Sequence, residues 1–166
     1  MENLWAPWRM AFIAPETPQP QVCIFCAYPA DNRDTEHHLL YRGEHCFMML
    51  NLYPYNNGHL MIAPYQHEGT IEKLDAETLT ELMEQAQLAL RALRIAMTPE
   101  GFNIGINQGK VAGAGFADHI HLHIVPRWNG DTNFMPVIAD IKVIPEHIDS
   151  VYQKLKQALE LVKEER

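Results

Sequence analysis

Three histidines alternate with apolar residues in one short stretch, which reads His-Ile-His-Leu-His-Ile-Val over residues 119–125. This alternation has the two-residue period of a β-strand, in which successive side chains point to opposite faces. It predicts a strand with His119, His121 and His123 on one face and the aliphatic side chains in the core. The solvated face of a strand seldom carries three imidazoles in a row. The pattern therefore indicates a chemical role, either metal binding or chemistry on phosphate.

Short apolar runs bounded by turn-forming residues predict the other strands. These runs cover residues 39–42, 46–50, 59–63 and 102–107, with a further short strand at 141–144. Gly43 separates the first two runs and indicates a hairpin. Because most of these strands follow one another without an intervening helix, the sheet is predicted to be antiparallel and not built from βαβ units.

Two amphipathic segments predict helices. Asp75 is a good N-cap, and the apolar residues after it recur at three- and four-residue spacing until Pro99 and Gly101 end the pattern. Pro145 suits the first turn of a second helix near the C-terminus. The apolar face of that helix comprises Ile148, Val151, Leu155, Leu159 and Val162. Together with the sheet, these helices predict an α+β fold.

Prolines mark the N-terminal region as an arm. They occur at positions 15, 18, 20 and 29, and this density predicts an extended segment without helix over residues 1–35. A long loop is predicted for residues 127–140. The length of 166 residues suits a single domain. We divide that domain, residues 1–166, into an arm at 1–38, a core at 39–128 and a loop with the C-terminal helix at 129–166.

Charge and composition exclude several classes of function. The formal net charge of −8 argues against a broad nucleic-acid-binding surface, because such surfaces are basic. No segment approaches the roughly 20 apolar residues that span a bilayer, and the first ten residues lack the apolar core of a signal peptide. Three cysteines do not form the framework of a secreted disulfide-rich protein. We therefore expect a cytoplasmic protein that binds neither nucleic acid nor membrane.

The histidine motif resembles the signature of the histidine triad (HIT) family, His-φ-His-φ-His-φ-φ, where φ is apolar. Further matches to the family are Asn51, the Gly-His-Leu sequence at 58–60, and the Asn-Gln-Gly sequence at 107–109. The resemblance covers about residues 39–128. It implies a HIT-like fold, an antiparallel five-stranded sheet with one long helix and a C-terminal helix. The tryptophan-containing flanks resemble the bacterial branch of the family that acts on diadenosine tetraphosphate.

The resemblance implies a role for each histidine of the motif. His121 is expected to be the nucleophile that attacks an α-phosphorus and forms a nucleotidyl-histidine intermediate. His123 is expected to contact the phosphate, His59 to join the chain of hydrogen-bonded histidines, and His119 to complete the triad. Asn51 is expected to bind the ribose hydroxyls.

The resemblance also implies a phosphate-binding segment before the triad. Gln108 and nearby backbone N–H groups are expected to stabilise charge on the phosphoryl oxygens. Asn107, Gly113, Ala114 and Gly115 are the other expected nucleotide-binding residues of this segment, and glycine there allows close approach of the backbone to an anion.

Two cysteines separated by two residues, Cys23 and Cys26, form half of a tetrahedral zinc site. From this spacing alone, a redox pair or two buried thiols are alternatives. The resemblance implies that His67 and His119 complete the set of ligands. Zinc in this position is expected to be structural and to tie the arm to the catalytic strand, and no organic cofactor is expected.

The resemblance therefore implies an enzyme that cleaves a dinucleoside polyphosphate, diadenosine tetraphosphate above all, at the α-phosphate through a covalent adenylyl-histidine intermediate. Either phosphate or water can be the acceptor. Alternatives are a nucleoside phosphoramidate hydrolase, and a nucleotide- or metal-binding protein without catalytic activity. The resemblance further implies a nucleotide as the small-molecule partner and a homodimer in which the long helix packs against its mate.

Overall fold

A five-stranded antiparallel sheet with strand order β1-β2-β3-β5-β4 organises the protein. The computed structural model describes residues 22–132 and 144–164. The strands are β1 Leu39–Arg42, β2 Cys46–Leu50, β3 Leu60–Pro64, β4 Gly101–Ile106 and β5 Leu122–Arg127. The α-helices in the described ranges are α1 Ile24–Ala30, α2 Ala76–Met97 and α3 Ile148–Glu164. The predicted α+β class, the antiparallel five-stranded sheet and both predicted helices are confirmed.

The first two strands have the predicted bounds, and β3 and β4 are each displaced by one residue from the prediction. The predicted hairpin is also present, because β1 pairs antiparallel with β2 and the N–H of Gly43 donates to the carbonyl of Cys46 at 2.8 Å. Residues 141–143 of the further predicted strand lie outside the described residues, as do residues 133–140 of the predicted loop.

The two faces of the sheet carry separate apolar clusters. The larger cluster lies on the face that α2 and α3 cover, and its fully buried strand residues include Met48, Leu60, Ile62 and Ile124. The smaller cluster lies on the opposite face beneath α1, and comprises Phe25, Leu39, Phe47, Met49, Met61 and Ala63. Alternation along each strand produces this division. The histidine-bearing face is thus the one that α1 partly covers.

The long helix α2 begins and ends where the sequence predicts. The side chain of its N-cap, Asp75, accepts a hydrogen bond from the N–H of Thr78 at 2.7 Å. At the other end Thr98 adopts a left-handed conformation, with φ 47° and ψ 51°, immediately before Pro99. This combination stops the helix, because proline disfavours the helical conformation in the residue before it.

The C-terminal helix α3 begins at Ile148 and not at Pro145, so that part of the prediction is wrong. The carbonyl of His147 accepts hydrogen bonds from the N–H groups of Ser150 and Val151, so His147 is the N-cap of the helix. The predicted apolar face is otherwise correct, and four of its five residues are buried, namely Val151, Leu155, Leu159 and Val162. None of the helices in the described parts of the chain is long and apolar enough to cross a membrane.

The last strand begins later than residues 119–125 predict. It runs over Leu122–Arg127, so that His119 and His121 precede it. The N–H of Ile120 donates to the carbonyl of Glu68 at 2.7 Å and is therefore held by the segment after β3. The histidines consequently lie partly on an irregular approach to the strand, which turns their rings toward different partners.

The same strand continues through Pro126 to Arg127, beyond residue 125, where the predicted strand ends. The pairing of β5 with β3 ends at Ile124, which lies opposite Leu60, the first residue of β3. Pro126 lies two residues further along β5, so the edge of β5 that faces β3 has no partner strand there. The carbonyl of Pro126 points there and accepts a hydrogen bond from Nδ2 of Asn56 at 3.1 Å. Since N–H and C=O of one strand residue point to the same side, the missing N–H of proline costs no ladder bond.

The prediction of an arm without helix is wrong for α1, which contains Pro29. Pro29 is the sixth of the seven residues, so only the end of the helix loses a hydrogen bond. The first turn is closed by the carbonyl of Cys23, which accepts from the N–H of Ala27 at 2.9 Å. Phe25 is buried in the smaller cluster, and this packing stabilises a helix too short to form alone. Residues 1–21 of the predicted arm lie outside the described residues.

Candidate active site

His121 is a buried imidazole in a defined protonation state. Its Nδ1 lies 2.9 Å from the carbonyl oxygen of His119. A carbonyl can only accept a hydrogen bond, so the neutral ring carries its proton on Nδ1 and leaves Nε2 unprotonated. Burial lowers the pKa of His121 below its ordinary value of 6.5, although the bond to His119 opposes this shift. At neutral pH the residue therefore offers a nucleophilic nitrogen.

A second chain of hydrogen bonds fixes the protons of His59 and His123. The backbone N–H of Tyr55 donates to Nδ1 of His59 at 3.1 Å, so the neutral ring of His59 carries its proton on Nε2. That Nε2 lies 3.0 Å from Nδ1 of His123 and donates to it. The proton of His123 is consequently on its own Nε2. This proton makes the Nε2 of His123 a donor group on the ring next to His121, and the centroids of the two rings are 4.7 Å apart.

Asn51 lies at the rim of this group of histidines. Its backbone N–H donates to the carbonyl of His59 at 2.9 Å, and its side-chain Nδ2 lies 3.2 Å from Nδ1 of the same residue. A cleft of about 440 Å³ opens here, lined by Asn51 and His59 together with apolar residues that include Leu50, Leu52 and Ile148. Neither His121 nor His123 is among the residues that line this cleft, so the ribose-binding role of Asn51 stays a prediction.

Gln108 is held by hydrogen bonds to the segment before α2, and its role at the phosphoryl oxygens stays a prediction. Its Oε1 accepts from the N–H of Ile71 at 3.0 Å, and its Nε2 donates to the carboxylate of Glu72 at 3.0 Å. The amide group is thus held by the segment before α2. Asn107 is half-buried and follows the last residue of β4.

The backbone N–H groups of the glycine loop, residues 113–115, differ in whether they donate a hydrogen bond within the described residues. The N–H groups of Gly113 and Ala114 donate within the loop, to the carbonyls of Lys110 and Gly109. The N–H of Gly115 has no acceptor among the residues that the structure describes. The nucleotide-binding roles of Gly113, Ala114 and Gly115 stay predictions.

Four potential metal ligands converge beside the histidines. One donor atom from each of Cys23, Cys26, His67 and His119 lies within 4.8 Å of the others. The Sγ atoms of Cys23 and Cys26 are 3.4 and 3.5 Å from Nδ1 of His119, and Cys26 Sγ is 3.2 Å from Nδ1 of His67. A tetrahedral zinc ion bound by sulfur and nitrogen separates such atoms by about 3.6 Å. The cluster is therefore compatible with zinc.

His119 connects the metal-ligand cluster to His121. Its Nε2 donates to the carbonyl of Pro64 at 2.9 Å, which leaves Nδ1 unprotonated and directed to the thiols. In metal-ligating histidines, one ring nitrogen typically donates to an oxygen while the other binds the metal, and His119 has this arrangement. Burial lowers the pKa of His119 to about 4, so the ring is neutral as ligation requires. Its backbone carbonyl is the acceptor for His121.

Sequence reasoning missed three groups that shape the site. The carbonyl of Pro64 and the N–H of Tyr55 are backbone groups, and every residue except proline has both, so the sequence carries no signal for them. The third is Phe25, whose ring stacks on His121 at a centroid distance of 4.6 Å. Its position between the two cysteines was the only available signal.

Comparison with known proteins relates the chain to one family. The family described as the HIT domain matches residues 32–130. The chain is 40% identical over 153 residues to the AP-4-A phosphorylase of Mycobacterium tuberculosis, an alignment that covers 88% of this chain and 78% of that protein. It is also 27% identical over 135 residues to an uncharacterised HIT-like protein of Methanocaldococcus jannaschii, covering 81% of this chain and 99% of that one.

Two crystal structures share the fold over most of their length. A zinc-bound histidine triad family protein from Mycobacterium smegmatis is 28% identical and superposes with a TM-score of 0.71, covering 87% of this chain and 97% of its own. A hypothetical histidine triad nucleotide-binding protein from Sulfolobus tokodaii is 26% identical, with a TM-score of 0.68 and coverage of 85% and 94%.

Proposed function

The chain belongs to the HIT family, and from this we propose that it is an enzyme that transfers a nucleotidyl group from a dinucleoside polyphosphate through His121. The observation that carries the proposal is the hydrogen bond from Nδ1 of His121 to the carbonyl of His119. It supports a neutral imidazole whose Nε2 can attack an electrophile at neutral pH. The 40% identity to an AP-4-A phosphorylase supports diadenosine tetraphosphate as the substrate.

In the first step, Nε2 of His121 attacks the α-phosphorus and the bond to the bridging oxygen of the polyphosphate breaks. ATP leaves, and AMP remains attached to His121 through a P–N bond. The donor nitrogen of His123 lies beside the attacking ring and can donate its proton toward the leaving oxygen. The N–H of Gly115 is the proposed donor to the nonbridging oxygens, and Asn51 the proposed ligand of the ribose.

In the second step, an oxygen of inorganic phosphate or of water attacks the same phosphorus and the P–N bond breaks. Phosphate yields ADP and water yields AMP, and in both cases His121 recovers its lone pair. The bond to the carbonyl of His119 keeps the proton on Nδ1 throughout, so that His121 needs no change of tautomer between the two steps.

Product analysis tests this proposal. The protein is incubated with diadenosine tetraphosphate with and without inorganic phosphate, and the nucleotides are separated by chromatography. We expect ADP and ATP in the presence of phosphate, from a phosphorylase. AMP and ATP without phosphate would indicate a hydrolase by the same intermediate. The absence of products under both conditions would contradict the dinucleotide as substrate and would direct the assay to phosphoramidates.

We expect the rate of the first step to fall at a lower pH than it would if His121 had the ordinary pKa of a histidine. Only neutral His121 has a lone pair on Nε2, and burial lowers its pKa below 6.5, so the neutral form persists as the pH falls through that value. The rate of ATP release in a single turnover without phosphate should therefore stay above half of its neutral-pH value at pH 6.5, and the midpoint of its decline should lie at lower pH. An acid limb with its midpoint at or above 6.5 would contradict this assignment.

We propose that zinc occupies the cluster of Cys23, Cys26, His67 and His119. The convergence of these donors supports this, together with the bond that directs Nδ1 of His119 to the thiols. The zinc-bound histidine triad protein of Mycobacterium smegmatis also supports it. Zinc there would supply structural cross-linking of α1 to the segment before β5, and His121 takes no part in the coordination.

Metal analysis of matched cysteine variants tests the zinc site. We expect about one zinc per chain in the wild-type protein, and a large loss of zinc in Cys26→Ser, because four ligands are needed for tight structural sites. Cys46→Ser is the control, since Cys46 is buried elsewhere and its thiol donates to the carbonyl of Thr78 at 3.7 Å. Equal zinc content in the two variants would contradict the assignment.

The remaining parts of the proposal rest on family membership. We propose that residues 1–166 form one HIT domain and that the protein is a cytoplasmic homodimer with a nucleotide as its small-molecule partner.

A further inference from the structure

Phe25 lies between the two cysteines of the metal-ligand cluster and is almost completely buried, with 1% of its surface exposed. Its ring stacks on that of His121, at a centroid distance of 4.6 Å and an interplanar angle of 29°. It also lies 5.2 Å from the ring of His119 and meets Phe116 edge-on at 5.7 Å. Phe25 therefore contacts the proposed nucleophile, a proposed metal ligand and the loop that precedes the triad.

A single hydrogen bond leaves the orientation of an imidazole incomplete. The bond from Nδ1 of His121 to the carbonyl of His119 fixes one edge of the ring, but the plane can still tilt about that bond. Such a tilt moves Nε2, which lies on the far side of the ring from Nδ1. The face-on contact with Phe25 opposes the tilt, in addition to the edge-on contact with His123 at a centroid distance of 4.7 Å, so the direction of the Nε2 lone pair depends on the ring contacts as well as on the hydrogen bond.

The position of Phe25 is itself well determined. It lies in the first turn of α1, where the carbonyl of Cys23 accepts from the N–H groups of Cys26 and Ala27 at 3.1 and 2.9 Å. The thiols on either side of it lie 3.4 and 3.5 Å from Nδ1 of His119. The backbone turn that carries Phe25 is thus attached to the residue whose carbonyl holds His121.

We propose that Phe25 is a positioning residue that orients the His121 ring for attack on phosphorus. This inference rests on the proposed function, because its kinetic effect is defined on nucleotidyl transfer. Phe25 itself does not contact the reacting atoms. It acts through the face of His121, and a misplaced nucleophile is known to cost up to about a hundredfold in rate.

The test compares Phe25→Leu with Phe47→Leu. Both phenylalanines are buried in the smaller cluster, but the ring partner of Phe47 is Tyr65, at 5.3 Å. Leucine retains apolar bulk and removes the planar face in each case. We expect Phe25→Leu to lower kcat at least about tenfold with KM changed less than twofold, since the substrate-contacting groups remain. Phe47→Leu should leave kcat within about twofold of the wild type.

A spectroscopic measurement provides a second readout that does not require turnover. In ¹⁵N spectra of histidine-labelled full-length protein, wild-type His121 should show separate protonated Nδ1 and unprotonated Nε2 signals. In Phe25→Leu these signals should shift or broaden as the ring samples other tilts, and in Phe47→Leu they should stay in place. Phe25→Met, which also lacks a ring face, replaces the leucine variant if that protein does not fold.

The outcomes separate the two proposals. Equal loss of kcat in the two leucine variants, or wild-type His121 signals in Phe25→Leu, would overturn the positioning role and leave Phe25 a core residue. If the wild-type protein does not cleave dinucleotides at all, the proposed function fails, while the ¹⁵N comparison still decides whether Phe25 orients His121.

Discussion

Replacing His121 with Asn is expected to lower the rate of nucleotidyl transfer by at least about a thousandfold, because removal of a catalytic nucleophile can cost about a millionfold in rate. Asparagine fits the buried position and can still donate to the carbonyl of His119, but its amide nitrogen has no lone pair suited to attack. Rapid-quench measurement of ATP release determines the rate. Mass spectrometry of the denatured protein determines whether AMP is attached to it.

His45→Asn is the matched control, because His45 lies in the turn between β1 and β2, where its Nε2 is 3.8 Å from the carboxylate of Glu77, and it does not line the cleft beside Asn51. It should release ATP at the wild-type rate. The wild-type protein should carry a mass increment of one adenylyl group when phosphate is withheld, and His121→Asn should not. Adenylylation of His121→Asn, or a loss of rate below tenfold, would mean that another residue is the nucleophile.

Replacing Leu155 with Ala is expected to reduce the free energy of unfolding by about 3–4 kcal/mol, as measured by urea denaturation followed by circular dichroism. Leu155 is fully buried at 0% exposure in the larger cluster, where α3 packs on α2 and the sheet. Truncation loses the free energy of transferring the leucine side chain from water to the core. It also leaves a cavity between α3, α2 and the sheet, which these packed elements cannot readily close.

Leu161→Ala is the control in the same helix, because Leu161 is 50% exposed. Its expected cost is less than about 1 kcal/mol. Similar losses in the two variants would contradict the packing of α3 described above, and would indicate that Leu161 is covered by a surface outside the described residues. A changed slope of the free energy with urea would indicate an altered unfolded state.

Elements with a strong local pattern could be predicted from sequence to within one residue. The helix α2 combines an N-cap at Asp75, a regular apolar face and a proline after its end, and each feature acts through neighbouring residues. The first two strands likewise alternate between short turn signals. In these cases local propensity and the tertiary structure favour the same outcome.

Elements held by distant partners could not be predicted in this way. The helix α1 is too short and too rich in proline to form alone, and it depends on burial of Phe25 against the sheet. The late start of β5 depends on Glu68, which is more than fifty residues away in sequence and accepts from the N–H of Ile120. Neither contact has a signature in the local sequence.

The candidate site shows the same division. The residue types of the metal-ligand cluster follow from the resemblance, and the structure brings Cys23, Cys26, His67 and His119 together. The protonation pattern of the imidazoles could not be predicted, because it is set by main-chain groups. The partners of Gln108, which are the N–H of Ile71 and the carboxylate of Glu72, could not be predicted either, and its catalytic role stays a prediction.

The acceptor that holds the proton of His121 is a peptide carbonyl, and every amino acid at position 119 would supply one. The two duties of that residue are therefore separable by mutation: its side chain directs a nitrogen to the thiols, and its main chain orients the neighbouring imidazole. Replacing the side chain of residue 119 removes the nitrogen directed to the thiols. It retains the carbonyl that accepts from Nδ1 of His121. Loss of the cysteine pair by mutation would thus leave the imidazole of His121 with its proton on Nδ1.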